Sequence, residues 1–312
     1  MALLDFPNEI LLQIAESLAI RDLSCFLRTN RHLASLLAHQ FYKFAAQDKD
    51  SLKAIHWAAT YGKIGLIDLL LNNGVDIAVK ATDMFRWEAL HYAVYSGNID
   101  IVALLLDRGA DVSVPDGEKA TPLHWAASQR QLAILKLLLE RGASPHAQEY
   151  RGSTPLHMAV LCGSPGCDEL SDMIEALLEA GADPSVPDNN GNTPLHRLVQ
   201  SDEEDVRAVQ LMLGKGADIA ARDSNGMTPL HWVAKVKDRW NNQKSGSEVA
   251  KLLLEHGANP NIADNDGKTV FHYAAEAELQ GVFKLLREKG RVPGVPYHPM
   301  KVSGSPSPLC QR

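Results

Sequence analysis

Seven of the twelve histidines occupy one recurring slot: His56, His91, His124, His157, His196, His231 and His272. Imidazoles in a row could hold a metal or relay protons. Each copy, however, belongs to a separate helical unit. Stacked helices sit about 8–10 Å apart, far beyond the roughly 2.0–2.1 Å of a Zn–N bond. One histidine per unit cannot share an ion with the next. Cys162 and Cys167 lie near His157, but four intervening residues fit no zinc spacing and no second pair completes a tetrahedral site. With Cys25 and Cys310 they read as reduced thiols of an intracellular protein. Gly267-Lys268-Thr269 resembles the end of a phosphate-binding loop, yet Ile262 stands where that loop needs its first glycine. No Ser/His/Asp or Cys/His set stands apart from the recurring positions. No catalytic residue, metal site or cofactor is expected, and the chain does not read as an enzyme.

The elements that carry the histidines repeat with them. Each histidine closes a Thr-Pro-Leu-His tetrapeptide, intact at Thr121, Thr154, Thr193 and Thr228 and worn at Ala54-Ile55-His56, Glu88-Ala89-Leu90-His91 and Thr269-Val270-Phe271-His272. After His124 come Trp125-Ala126-Ala127, an apolar run from Leu132 to Leu139, and Gly142-Ala143. Apolar residues at helical spacing predict two short antiparallel helices per unit. Pro122 suits a first helical position, and Gly142 suits a left-handed residue just past the second helix. Asp188-Asn189-Asn190-Gly191 and Asp264-Asn265-Asp266-Gly267 are turn sequences that tolerate positive φ. Periodicity of this kind means stacked small units, whose function lies on surfaces.

Motif, period and glycine positions together resemble the ankyrin repeat, from about Leu52 to Gly290. The resemblance implies an all-α solenoid of about seven helix-turn-helix repeats with short β-hairpin turns. It also implies a structural role for the histidines, as side chains that hydrogen-bond neighbouring turns and loops. Trp57, Trp125, Trp232, Tyr92 and Tyr273 directly follow the motif histidine, and recurrence at one slot makes them structural as well. Regularity breaks in four places. His-to-Gly is 18 residues in most repeats but 24 from His157 to Gly181, 20 from His196 to Gly216 and 26 from His231 to Gly257. The turns between the two helices of repeats four, five and six are therefore enlarged. Gly-to-next-His is 15 residues except from Gly74 to His91, where it is 17, which enlarges the first inter-repeat hairpin.

Ahead of the repeats, Ile10, Leu11, Ile14 and Leu18 fall on one face of a helix that Asp5, Pro7 and Glu9 equip to start. Two further apolar helical runs follow, and about forty residues in three helices make a poor core alone. Over residues 3–44 the order of residues resembles an F-box: Phe6-Pro7 matches the family's Leu-Pro, and Arg28 to Leu33 its V-C-R-x-W region, although Phe6 replaces leucine and the tryptophan is missing. The resemblance implies that Phe6, Pro7, Ile10, Leu11, Ile14 and Leu18 dock the Skp-family linker of a cullin–RING ubiquitin ligase. The other reading is a helical cap shielding the first repeat's apolar edge. After Gly290 come five prolines with serines and no acidic residue, a composition that reads as a flexible tail. The expected organisation is an F-box-like segment over 1–45, repeats over 46–290 and a tail over 291–312.

A net charge of −7 argues against a nucleic-acid partner. No apolar run reaches the roughly 18 residues of a membrane span, and residues 1–20 lack a signal peptide's basic start. An intracellular, cytoplasmic or nuclear location is expected. In ankyrin-like arrays partners meet the hairpin tips and the exposed side of the first helices. The residues aligned there are Tyr61, Met84, Phe85, Trp87, Tyr95, Tyr150, Arg151 and Met227, and Trp240 in the long turn of repeat six is a further anchor. Aromatic and arginine side chains are typical of interface hot spots. The acidic turn Ser201 to Asp205 and the basic turn from Lys235 to Lys244 would stack side by side. The sequence thus reads as an adaptor: the substrate-recognition subunit of an F-box-type ubiquitin ligase holding a target protein, or a plain ankyrin scaffold.

Overall fold

A computed structural model describes residues 51–81, 84–161, 169–200, 205–235, 247–277 and 279–289. The F-box-like segment, the enlarged parts of the turns in repeats four to six, Trp240, Cys162, Cys167, Gly290 and the tail lie outside the described residues.

The described residues form seven pairs of helices. Repeat one holds α1 (Ser51–Thr60) and α2 (Ile64–Asn72), repeat two α3 (Ala89–Tyr95) and α4 (Ile99–Asp107), and repeat three α5 (Pro122–Ser128) and α6 (Leu132–Glu140). Repeats four and five hold α7 (Pro155–Leu161), α8 (Glu169–Glu179), α9 (Pro194–Gln200) and α10 (Val206–Gly214). Repeats six and seven hold α11 (Pro229–Lys235), α12 (Ser247–Glu255), α13 (Val270–Glu276) and α14 (Gln280–Lys289). Residues up to Asp218 make one compact unit and those from Ile219 a second. In the first, α1, α3, α5, α7 and α9 pack in succession, and so do α2, α4, α6, α8 and α10; in the second, α11 packs on α13 and α12 on α14.

Helices of two turns are too short to persist alone, so each must be nucleated and buried. Thr121 is extended at φ −90° and ψ 167°, and Pro122 begins α5. The Thr121 amide and hydroxyl both donate to His124 Nδ1, at 3.1 and 2.9 Å. Thr154, Thr193, Thr228 and Thr269 repeat that arrangement with the histidine three residues on. Burial then follows the helical period. Leu123, Ala126 and Ala127 of α5 and Leu135 and Leu138 of α6 are fully buried. Alanines and valines at the inner positions, such as Ala93-Val94 and Ala159-Val160, let neighbouring first helices approach closely. Gly74, Gly109, Gly142, Gly181, Gly216 and Gly257 take φ of 85° to 93° after the second helices, as expected from the sequence.

Asn98, at the start of α4, donates to the Ala59 and Thr60 carbonyls at the end of α1. Arg108 pairs with Asp68, and Arg141 with Asp107, along the second helices. Such exposed pairs contribute only about 0–1 kcal/mol each. The expected hairpins are present as closed turns without strands: among the described residues only the isolated bridge Ala263–Thr269 forms. The flanks are too short to build a ladder. The first hairpin, closed by Ala81 N–H on Trp87 O, is two residues longer than the 116–120 turn closed by Asp116 on Ala120, as the spacing required.

Candidate protein-binding surface

Five of the inter-repeat tips are built around one buried acid, Asp116, Glu149, Asp188, Asp223 or Asp264. Asp116 Oδ1 accepts the amides of Glu118 and Ala120 at 2.8 and 2.9 Å. Asp188 does the same for Asn190 and Asn192, Asp223 for Asn225 and Met227, and Asp264 for Asp266 and Lys268. In repeat four Glu149 fills the place, accepting from Arg151 and Ser153. In the four aspartate tips the second carboxylate oxygen reaches the side chain nine residues on, in the helix that follows. Trp125 Nε1 donates to Asp116 Oδ2 at 3.0 Å, Arg197 Nε to Asp188 at 3.1 Å, Trp232 Nε1 to Asp223 at 2.9 Å and the Tyr273 hydroxyl to Asp264 at 2.6 Å. Burial alone would raise the carboxyl groups of Asp188 and Asp264. The Arg197 and Tyr273 donors, with the turn amides, hold both below the usual carboxylate range. Burial, with Asp264 beside it, raises Tyr273.

This acid lock was not read from the sequence, where only the Asp-Asn-Asn-Gly and Asp-Asn-Asp-Gly turns stood out. The signal was available: an acid nine residues before the side chain that follows each motif histidine. It confirms that Trp125, Trp232 and Tyr273 are structural, since each is tied to a tip.

Backbone hydrogen bonds join tip to tip. Gly117 N–H donates to Phe85 O at 2.6 Å, Tyr150 N–H to Glu118 O at 2.8 Å and Asn189 N–H to Arg151 O at 2.9 Å. A Cβ at Gly117 would collide with Met84 O, so the close approach needs glycine there. In the second unit Asn265 N–H donates to Asn225 O. Histidines hold the same turns from beneath. His56 Nε2 bonds Val79 O, His124 Nε2 bonds Ser153 O and His157 Nε2 bonds Asn192 O, at 3.0–3.1 Å. Because Nδ1 accepts an amide N–H, the ring is neutral with its proton on Nε2, and both nitrogens of His157 are engaged within the protein. Desolvation lowers His124, His157 and His231, and takes His91 down to about 4. Among the described residues, no group of three His, Cys, Asp or Glu could hold a metal ion.

Apolar side chains stay in solvent at the tips and the ends of the first helices, and also at Ile64 and Ile99 where α2 and α4 begin. Met84 is 80 % exposed, Tyr150 73 %, Tyr61 59 % and Tyr95 49 %, with Phe85 and Arg151 also exposed. Leu161, at the end of α7, joins them and was not singled out from sequence. Two expected surface residues require correction. Trp87 is 8 % exposed and Met227 1 %. The Trp87 indole is enclosed by Phe85, Tyr92, Tyr95 and Trp125 and donates to Asp116 Oδ2 at 3.2 Å. Met227 lies at the closing position of its turn, where its amide binds Asp223. Trp87 supports the exposed aromatics of repeat two from below. Tyr95 leans on both Trp87 and Trp125, and Tyr61 on Trp57. Trp240 and the six F-box-like positions (Phe6, Pro7, Ile10, Leu11, Ile14, Leu18) lie outside the described residues.

A family model for ankyrin repeats (3 copies) matches residues 24–116, 110–187, 167–261 and 204–295. A stretch of 42 residues is 52 % identical to neurogenic locus notch homolog protein 1 of Homo sapiens and of Mus musculus, covering 14 % of this chain and 2 % of those proteins. Another match of 42 residues, 55 % identical, is to ankyrin repeat protein L92 of Acanthamoeba polyphaga mimivirus, covering 13 % of this chain and 10 % of that one. These curated relatives are thus matched over a small part of their length. The crystal structure of the ankyrin repeat domain of Bcl-3, of the IkappaB protein family, superposes with a TM-score of 0.61 at 26 % identity, over 75 % of this chain and 97 % of that one. Ankyrin repeats are protein–protein interaction modules, typically non-catalytic scaffolds. No helix among the described residues is long and apolar enough to cross a membrane.

Proposed function

The chain belongs to the ankyrin repeat family, and from that premise we propose that it is an adaptor whose tips and first-helix ends hold a target protein. The observation that carries this reading is the exposed set Tyr61, Met84, Phe85, Tyr95 and Tyr150, standing on a framework of buried acids and histidines. Apolar area left in water costs about 25 cal/mol per Å², so a partner that covers it gains binding energy. A standard interface needs about 800 Å² per partner, which several tips and helix ends together can supply. Arg151 belongs to the same candidate set, and Trp240 is a second anchor if the long turn of repeat six contributes. Residues 46–290 form the target-binding part in this reading.

The finer assignment is a substrate-recognition subunit of an F-box-type cullin–RING ubiquitin ligase. It rests on the resemblance of residues 1–45, whose Phe6, Pro7, Ile10, Leu11, Ile14 and Leu18 would dock the Skp-family linker. The chain would then act by raising the effective concentration of its target near the transferase, with all chemistry on other subunits. The alternative is an ankyrin scaffold whose first helices only cap the repeats. A pull-down with a purified Skp-family linker separates the two. Pro7→Ala combined with Ile10→Asp abolishes capture and preserves the circular-dichroism signal if the segment is a linker dock. Failure of the wild-type chain to bind removes the ligase assignment, and a collapse of the signal in the variant points to the cap.

A further inference from the structure

We infer that the tips of repeats two to four form a recognition face for a partner protein segment in which carboxylates alternate with bulky apolar side chains. The inference rests on the protein-binding reading and specifies the chemistry of its partner. Its first support is a backbone slot that recurs in all six described tips, three residues after the buried acid in the regular ones. Gly152, Gly191, Gly226 and Gly267 occupy it with φ of 74° to 77°. In repeats two and three the slot holds Arg86 at φ 50° and Lys119 at φ 65°. An L-residue is strained there and glycine is not. Backbone strain of this sort clusters at functional sites, although Arg130, at φ 55°, carries it too in the turn inside repeat three, where Gly62 and Gly97 stand in repeats one and two.

Charge supplies the second support. Lys119 and Arg151 are exposed on successive tips, and neither has an ion-pair partner among the described residues. Glu118 is the one exposed acid beside them on the tip of repeat three. The carboxylates of Asp116 and Glu149 in the same tips are buried and taken by turn amides, so the charges the two tips offer a partner are the Lys119 and Arg151 heads beside Glu118. Met84, Phe85, Tyr95 and Tyr150 flank it. Two free cations interleaved with apolar side chains suit a peptide better than a nucleic-acid backbone, which calls for a continuous basic stripe.

Geometry sets the spacing of the partner's charges. Repeats stack about 8–10 Å apart and an extended chain advances about 3.3 Å per residue. Alternate side chains of an extended chain share a face, so acids about four residues apart, roughly 13 Å, would meet Lys119 and Arg151 through the reach of their long side chains, with an aromatic or leucine side chain midway on the same face reaching the apolar positions.

The test is selection of random twelve-residue peptides displayed on phage, with the full chain as bait. The expected pool is enriched in Asp or Glu about four positions apart with an aromatic or aliphatic residue midway between them. The Lys119→Glu, Arg151→Glu variant should weaken the best selected peptide by about tenfold or more. Lys119→Gly should bind it more weakly while melting at a higher temperature, a combination that misfolding cannot produce. Three results overturn the inference: a pool without acidic preference, an acidic pool that the charge reversal leaves unaffected, or no selected peptide at all. Target capture from cells by the wild-type chain would survive each of them, so the adaptor reading stands or falls separately.

Discussion

Asp116→Ala tests the acid lock at its most connected point. The Asp116 carboxylate is 7 % exposed and takes four donors: the amides of Glu118 and Ala120 and the indoles of Trp125 and Trp87. The Glu118 amide and Trp125 retain some access to solvent, so water can replace the acid at both. The Ala120 amide and the Trp87 indole are buried and would be left without an acceptor. Each such orphan costs about 1–3 kcal/mol, and the lost charge-assisted bonds add to that, giving roughly 3–5 kcal/mol in all. Asp116→Asn keeps an acceptor for the two amides but turns an NH₂ toward two indole N–H groups, for a loss of about 2–3 kcal/mol. Urea unfolding followed by far-UV circular dichroism gives both values. Trp125→Phe removes one donor, and a double-mutant cycle with Asp116→Ala should show coupling of about 1 kcal/mol. A loss below about 1 kcal/mol for Asp116→Ala, or strict additivity in the cycle, refutes the lock.

Three further outcomes follow from the same geometry. His91 titrates near 4 in the fold and near 6.5 unfolded, so the unfolded chain binds the extra proton between those values; stability is complete above pH 6.5 and falls as the pH drops. The loss from His91 alone is about 1 kcal/mol at pH 5.5. His124, His157 and His231 act in the same sense, whereas Glu88, raised chiefly by burial, acts in the opposite one. Asp188 and Asp264, whose carboxyls are lowered in the fold, add stability that is fully present above their unfolded values and is lost only as the pH falls below them. A urea midpoint equal or higher at pH 5.5 than at pH 7.5 contradicts this account. Gly152→Ala should destabilise by about 1–2 kcal/mol or more, because φ is 77° and a Cβ there would meet Asn189 Oδ1 at 2.6 Å; an unchanged thermal midpoint counts against it. Tyr150→Ala should leave stability within about 0.5 kcal/mol and Tyr95→Ala should cost about 1 kcal/mol through its contacts with Trp87 and Trp125, while target capture weakens by about 2 kcal/mol at whichever is a hot spot, as measured by titration calorimetry. Trp87→Ala should instead lower stability by about 3–5 kcal/mol.

Much of the fold was legible because its signals are local. Thr-Pro at a helix start, glycine after the second helix and the 3.6-residue period each depend on a few adjacent residues, and all recur. The length of the first hairpin followed from counting between Gly74 and His91. Side-chain direction was harder. Trp87 occupies a tip position that reads as exposed, yet the position does not reveal that Asp116, 29 residues away, supplies an acceptor that draws the indole inward. Met227 likewise sits beside a turn glycine and closes it from within. The acid lock escaped notice because its two ends fall in different elements, nine residues apart. Leu161 looked like an ordinary apolar residue of α7, and only its neighbours decide that it is exposed.

Hydrogen exchange of the chain with and without its captured target addresses the adaptor surface most directly. Binding should slow exchange at the amides of 84–86, 117–119 and 150–151 and at the end of α3 near Tyr95. Slowing confined to the second helices, along the face that carries Arg108 and Arg141, would contradict it.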